Sequence, residues 1–328
     1  MRISSKISLV VPMRNEEASL VALLESVREQ TFPPDEIILV DGGSTDGTLA
    51  LARRLADEDA RIHVIEAGEA TPGRGRNVGI AAAAHELVAL TDAGITLDTT
   101  WLERLARVIE DDPAVEVVYG NFEPVADTLF VRCAALAYGA HKQARPGGHM
   151  RGPSTASMML RREVWRKLSG FPDLRASEDL IFMKKIERGA FRVGWAPGAT
   201  VWWQMQPDLI RTFRKFVLYS KYNVWAGRQA DWHYSAALKY AVALLFIVLA
   251  IFHSPWWLLA VAAGFAARIG RSIWRRREGR GVLWALNPVQ FACVGVILLT
   301  IDMATFVGWA QALWKRSENR ASAQATIR

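Results

Sequence analysis

The chain has 328 residues, 51% of them hydrophobic, and sets 40 Lys and Arg against 33 Asp and Glu for a net charge of +7. That length permits one large or two modest domains with a substantial core and excludes a mini-protein that needs staples. The composition is too apolar for a disordered chain, and no low-complexity tract interrupts it. Charge is unevenly placed: residues 1–200 hold 24 basic and 28 acidic side chains, about −4, and residues 201–328 hold 16 basic and 5 acidic, about +11. Eleven of the 13 tryptophans fall between Trp195 and Trp314, and such rings favour membrane interfaces. An acidic soluble domain followed by a basic, Trp-rich membrane region is expected, with no nucleic-acid partner. Cys133 and Cys293 are remote in sequence and match no metal-ligand spacing, which argues against a disulfide framework or a zinc site. Residues 1–6 run straight into a strand-like segment and not into a long apolar signal region, so the first domain is expected in the cytoplasm.

In chain order, residues 7–11 read as a buried strand stopped by Pro12, and residues 16–30 show helical spacing at Leu20, Leu23, Leu24 and Val27. A second strand, 37–40, ends in the polar, Gly-rich loop from Asp41 to Thr48, which leads into a helix through about Asp57. A third strand, 62–65, precedes a loop from Thr71 to Asn77 and an alanine-rich helix. The fourth, 87–91, delivers Asp92-Ala-Gly94 at its C-terminal end. Strands and helices in alternation predict right-handed βαβ units on a mostly parallel α/β sheet. In such sheets the ligand crevice lies beyond the carboxyl ends of the strands. Residues 12–17, 41–46, 74–77 and Asp92 should therefore converge.

Residues 240–267 contain no Lys, Arg, Asp or Glu for 28 positions, and a further 21 uncharged residues run from Gly281 to Ile301. A spanning helix needs about 20 predominantly apolar residues, so at least two crossings are expected. His253-Ser-Pro255 falls inside the first run and would split it into a hairpin over 238–267. The loop 268–280 holds six arginines, and short basic loops stay cytoplasmic. A further apolar segment covers 283–314, and a polar tail 315–328. Upstream, Leu209, Phe213, Phe216 and Val217 share one helical face, with Arg211, Arg214, Lys215 and Lys221 largely elsewhere, as in an interfacial amphipathic segment over 207–236. Asp302, among apolar neighbours, is a candidate intramembrane carboxylate.

Asp41 ends a strand beside two glycines, a placement suited to a base or ribose with the backbone close to the ligand. The segment Gly73-Arg-Gly-Arg-Asn-Val-Gly79 has GxGxxxG spacing after the third strand, so the dinucleotide fingerprint fails in spacing and context. Its arginines suit phosphate oxygens. Asp92 suits Mg²⁺ or Mn²⁺, hard ions that take carboxylate and phosphate together. Glu178 and Asp179 stand at the start of a helix, where adjacent carboxylates can divide the roles of general base and substrate positioning. Trp202 and Trp203 suit stacking on a sugar or a lipid carrier, and equally core packing or a membrane belt.

Five segments taken together resemble the family 2 glycosyltransferases of the GT-A fold over roughly residues 5–230. They are Val10 to Glu17, Val40 to Thr48, Gly75-Arg-Asn-Val-Gly79, Thr91-Asp-Ala-Gly94 with Trp101-Leu102, and Ser177-Glu-Asp-Leu180. The resemblance covers a nucleotide-sugar-binding domain, taken here as 1–206, ahead of a transmembrane region over 237–314. It implies that Pro12, Glu16, Asp41 and Ser44 hold the donor nucleoside, that Arg76 and Asn77 approach its pocket, that Asp92 serves a metal-bound diphosphate, and that Asp179 is the general base beside Glu178. Two departures stand out. The family's Asp-x-Asp metal motif is here Asp92-Ala-Gly94, without the second carboxylate. The Gln-x-x-Arg-Trp of processive synthases is absent around 212–224.

The expected function is inverting, non-processive transfer of a sugar from a nucleoside-diphosphate sugar to a lipid or lipid-linked glycan, at the cytoplasmic face of the inner membrane, with Mn²⁺ or Mg²⁺ as cofactor. The competing expectation is a non-catalytic nucleotide-binding or scaffold subunit of a membrane glycan-assembly complex. A transporter fits poorly, since only about a quarter of the chain is membrane-like.

Overall fold

The computed structural model describes residues 5–314, and the polar tail expected over 315–328 lies outside the described residues. The chain divides into two compact units, one of residues up to 124 and 142–204, the other of residues 125–141 and 205 onward.

The first unit alternates from its start: β1 (Ile7–Met13), α1 (Glu17–Arg28), β2 (Glu36–Asp41), α2 (Thr48–Glu58), β3 (Ile62–Glu66), α3 (Pro72–Ala82), β4 (Leu87–Leu90), β5 (Ile95–Leu97), α4 (Trp101–Asp111) and β6 (Val117–Pro124). The chain then leaves for α5 (Leu129–Tyr138) in the second unit. It returns with a hairpin of β7 (Gln143–Arg145) and β8 (Gly148–Met150), followed by β9 (Met158–Arg161), α6 (Arg162–Lys167), α7 (Glu178–Arg188) and β10 (Val193–Trp203).

The main sheet runs β3-β2-β1-β4-β9-β6-β10-β5. Strands β3, β2, β1 and β4 are parallel, as are β6 and β10. β9 runs antiparallel between β4 and β6, and β5 antiparallel on β10. Both faces are covered, which is why β1 reads as a nearly continuous apolar run, interrupted by the buried Ser8. On one face Leu9, Val11 and Met13 meet Leu20, Leu23 and Val27 of α1 and Leu102 and Leu105 of α4. On the other, Val10, Ile38 and Val40 meet Ile80 of α3 and Phe182 and Ile186 of α7. Each such buried side chain contributes roughly 1.5–3 kcal/mol.

Two local expectations are corrected. β1 does not stop at Pro12 but pairs with β2 through Met13. Pairing with β4 has already ended at Val10, so the proline ring removes no hydrogen bond on that side. The segment from Pro72 to Asn77 is the first turns of α3 and not a loop. Thr71 caps it by accepting from the Arg74 amide at 3.2 Å, with Pro72 at the first helical position. Its glycines serve close packing: a Cβ on Gly79 would lie 2.3 Å from Val10 Cγ1, and one on Gly75 3.2 Å from Pro12 Cβ.

The second unit is helical: α5, α8 (Leu209–Trp225), α9 (Gln229–Phe252), α10 (Trp257–Arg275), α11 (Val282–Ala285) and α12 (Pro288–Trp314). Asp208 caps α8, accepting from the Arg211 amide at 2.7 Å. Helices α9 and α12 are long and apolar enough to cross a membrane. Only 6% of the apolar window of α9 is buried, which sets it apart from a core helix. Asp302 of α12 is paired: Arg268 of α10 forks onto its carboxylate, with Nη2 2.8 Å from Oδ1, and the Tyr240 hydroxyl of α9 donates to Oδ2 at 2.7 Å. Both cysteines are free, and Cys133 of α5 hydrogen-bonds Cys293 of α12.

Candidate functional site

The carboxyl ends of β1, β2 and β4 carry the three polar loops of the first unit. Residues 13–17 and 41–48 are locked to each other. Asn15, in the left-handed region at φ 57°, donates its amide to Ser44 Oγ at 3.0 Å and accepts the Thr45 amide on Oδ1 at 2.8 Å. The Glu16 amide donates to Thr48 Oγ1 at 2.7 Å, and the Gly47 amide to Glu17 Oε2 at 3.0 Å. The Glu16 carboxylate is thereby held over the crevice, accepting from Ser19 Oγ. Burial, then the negative charges of Asp92 and Asp46, raise its pKa above the usual carboxylate value.

Asp41 is 3% exposed. Its Oδ2 accepts the Gly43 and Ser44 amides at 3.0 and 3.1 Å, and its Oδ1 the Ser44 hydroxyl. The Asp41 and Ser44 side chains thus shape this loop. Pro12 lies under α3, in contact range of Gly75.

Arg76 is the hub. From the first turns of α3 its Nη2 donates to Asp92 Oδ1 at 2.6 Å and its Nη1 to Glu178 Oε1 at 2.8 Å, while the guanidinium lies 5.6 Å from the Phe171 ring centroid. Arg76 and Glu178 are buried, and Asp92 keeps 40% of its side chain exposed. Burial works to lower the Arg76 pKa, but the charges of Asp92, Glu178 and Asp179 outweigh it and hold the guanidinium above its ordinary range. Glu178 is pushed up to about 7 by burial, against the pull of Arg76. Burial also raises Asp179, which accepts from the Leu180 amide at the start of α7. Ser177, immediately before this pair, is left-handed at φ 71°, a strained backbone of the kind that gathers at functional sites.

Asn77 is differently used. Its Nδ2 donates to the Phe171 carbonyl at 2.8 Å, and its Oδ1 accepts from the Phe171 amide at 2.8 Å and Trp165 Nε1 at 2.9 Å. The amide is spent on bracing the 165–171 segment and offers little to a ligand. Gly170 makes room for that bracket: a Cβ there would lie 2.6 Å from Asn77 Oδ1. Phe171 stacks on Phe182 at 3.9 Å and forms the floor beneath Arg76. Sequence reasoning missed Phe171 and Trp165, because their roles depend on contacts with residues far along the chain; it placed Ser177 in the motif before the acidic pair but did not foresee its left-handed backbone. Trp202 is 41% exposed, and Trp203 packs edge-on against Phe122 at 6.3 Å.

Among the described residues no three His, Cys, Asp or Glu side chains gather as a metal cage. The donor set at Asp92 nonetheless fits a divalent ion of the kind held by one or two carboxylates plus substrate phosphates. One Asp92 oxygen is taken by Arg76 and the half-exposed carboxylate faces the crevice beside Glu16.

Residues 8–169 match the sequence model of the family described as glycosyl transferase family 2. The O-antigen chain rhamnosyltransferase RfbN of Salmonella typhimurium is 27% identical over 60% of this chain, which spans 65% of that relative's length. The succinoglycan biosynthesis protein ExoA of Rhizobium meliloti is 24% identical over 94% of this chain and 93% of its own. Among solved structures, the mannosyltransferase PcManGT of Pyrobaculum calidifontis, in complex with GDP-Man and Mn²⁺, superposes with a TM-score of 0.56 at 21% identity, covering 95% of this chain and 88% of that one. The likeness establishes a shared mixed α/β, GT-A-like fold.

Proposed function

The chain belongs to the family 2 glycosyltransferases, and from that premise we propose that it is an inverting enzyme that moves a single sugar from a nucleoside-diphosphate sugar to a lipid or lipid-linked glycan at a membrane. The observation that carries this reading is the bridge from Asp92 through Arg76 to Glu178, which ties the donor end of the crevice to the acidic pair at the start of α7. The names of its relatives, a rhamnosyltransferase of O-antigen chains and a succinoglycan biosynthesis protein, support a role in polysaccharide assembly.

Asp179 takes the proton of the acceptor hydroxyl as that oxygen attacks the anomeric carbon. The bond to the diphosphate oxygen breaks on the opposite face, so configuration inverts and the nucleoside diphosphate leaves with the electron pair. Glu178, held by Arg76, fixes the start of α7 and with it Asp179. Arg76 offsets negative charge gathering on the leaving diphosphate. Asp92, with Glu16 beside it, would hold Mn²⁺ or Mg²⁺, which when bound neutralises the diphosphate. The loops 13–17 and 41–48 form the nucleoside side of the crevice, with Pro12, Asp41 and Ser44 shaping it and Asn77 bracing it from behind.

The exposed apolar surface of α9 and the length of α12 support a membrane-embedded second unit. The reading places it in the inner membrane, with the first unit cytoplasmic and the basic residues of α8 near anionic headgroups. The lack of Gln-x-x-Arg-Trp around 212–224 favours non-processive transfer. Gly94, where the family carries a carboxylate, favours one other reading, a non-catalytic nucleotide-binding subunit of a glycan-assembly complex.

Purified protein and its Asp179→Asn variant, incubated with a panel of nucleotide sugars, Mn²⁺ or Mg²⁺ and a lipid extract, separate the two. Release of nucleoside diphosphate from one donor, lost in the variant, establishes the enzyme. Nucleotide binding without release from any donor favours the non-catalytic subunit.

A further inference from the structure

We propose that Glu16 is the second metal carboxylate of this protein, standing in from the loop after β1 for the one missing at Gly94. Gly94 marks the position concerned. A Cβ built on it would lie 3.6 Å from Glu16 Oε2 and 4.0 Å from Oε1, and apart from its chain neighbours no other atom comes within 4 Å. An aspartate side chain at 94 would extend into the space that the Glu16 carboxylate borders. Position 94 and Glu16 thus reach one point in the crevice from two different strand ends.

The backbone around Glu16 is built to hold it there. Asn15 is left-handed and bonded through its amide and its side chain to Ser44 and Thr45, and the Glu16 amide is fixed on Thr48. A strained, doubly tethered residue immediately before a carboxylate is costly unless its direction matters.

Charge gives the second argument. Asp92 acts electrostatically on Glu16 on one side and on Asp179, next to Glu178, on the other; the cation acting on Asp92, Glu178 and Asp179 is Arg76, while the charges acting on Glu16 are both acidic. A nucleoside diphosphate would bring further negative charge into this group. Like charges brought together in a partly desolvated crevice repel, so a donor bound here calls for a cation between its phosphates and these carboxylates. Asp92 has one oxygen committed to Arg76, which leaves its other oxygen for a metal and gives a second carboxylate a place in the shell. A divalent ion held by two carboxylates, with phosphates and water completing its shell, fits this set.

The inference rests on the glycosyl-transfer reading. Release of nucleoside diphosphate by the wild-type protein, measured in parallel, tells failure of that reading from failure of this one. The direct test is Mn²⁺ binding to the full-length protein in detergent, followed by loss of the free-ion electron paramagnetic resonance signal, with Mn²⁺ alone and with UDP or GDP present. Asp92→Asn and Glu16→Gln should each weaken Mn²⁺ binding by at least about tenfold. In the double variant Glu16→Gln/Gly94→Asp, a carboxylate supplied from position 94 should restore binding to within a few-fold of wild type. Wild-type affinity in Glu16→Gln overturns the assignment, as does a double variant no tighter than Glu16→Gln. Absence of Mn²⁺ binding by the wild-type protein overturns it too.

Discussion

Asn77 and Phe171 exchange two hydrogen bonds of 2.8 Å each, side-chain amide to main-chain carbonyl and main-chain amide to side-chain oxygen, across 94 residues of sequence. The pair fastens the floor under Arg76 to the helix that carries Arg76. Asn77→Ala would leave the Phe171 groups and the Trp165 indole unpaired and partly buried, which costs about 2 kcal/mol or more. Thermal unfolding in detergent should show a lowered midpoint, and donor binding should weaken as Phe171 loses its place.

Arg76 reaches two carboxylates with separate nitrogens, a geometry that a single ammonium reproduces poorly. Arg76→Lys should keep the charge and the fold yet lower turnover by ~10²-fold, with a smaller effect on the KM for donor. Steady-state kinetics on the purified variant check this. An unchanged turnover number would remove the bridge from the mechanism.

The acidic pair sets a pH limit. Burial pushes Glu178 up to about 7 and raises Asp179 as well, and a general base works only when ionised. Turnover should therefore begin to fall on acidification at a pH above the ordinary aspartate range. In Glu178→Gln a neighbouring negative charge disappears, the Asp179 anion becomes easier to form, and the acid limb should move to lower pH. The same acids bind protons more tightly folded than unfolded. Their stabilising contribution is thus present in acid and is lost as pH rises, for Glu178 through about 7. A pH–rate profile and unfolding midpoints between pH 5 and 8 report both effects.

Asp302 gives a prediction in the second unit. Asp302→Asn strands Arg268 and weakens the Tyr240 bond, and breaking one side of a largely buried pair costs about 3–5 kcal/mol. The lower end applies, because the Arg268 side chain keeps 29% exposure. Unfolding in detergent should move to lower temperature. The double variant Arg268→Gln/Asp302→Asn should regain part of the loss.

The sequence made the parallel core legible because β1, β2 and β4 are covered on both faces and so appear as short, predominantly apolar runs. It made the site legible only in part. Convergence of residues 12–17, 41–46 and Asp92 follows from where strands end, and Glu178 and Asp179 were readable as a helix start. Gly73 to Gly79 resembled a loop because three glycines there are demanded by close approach to Val10, Pro12 and the segment before α7, although Thr71-Pro72 announced a helix. The antiparallel course of β9 and the bracing by Asn77 depend on partners distant in sequence. No local periodicity reports such pairings.

The excursion through residues 125–141 bears on how the protein can be handled. A chain stopped after β10 would retain α5 without the helices α10 and α12 that bury its Val131, Cys133, Ala134 and Leu136. That fragment would display a sticky apolar stub and precipitate. A water-soluble version of the first unit calls for two engineered junctions, one ending the chain after β10 and one joining residue 124 to residue 142 through a short polar linker.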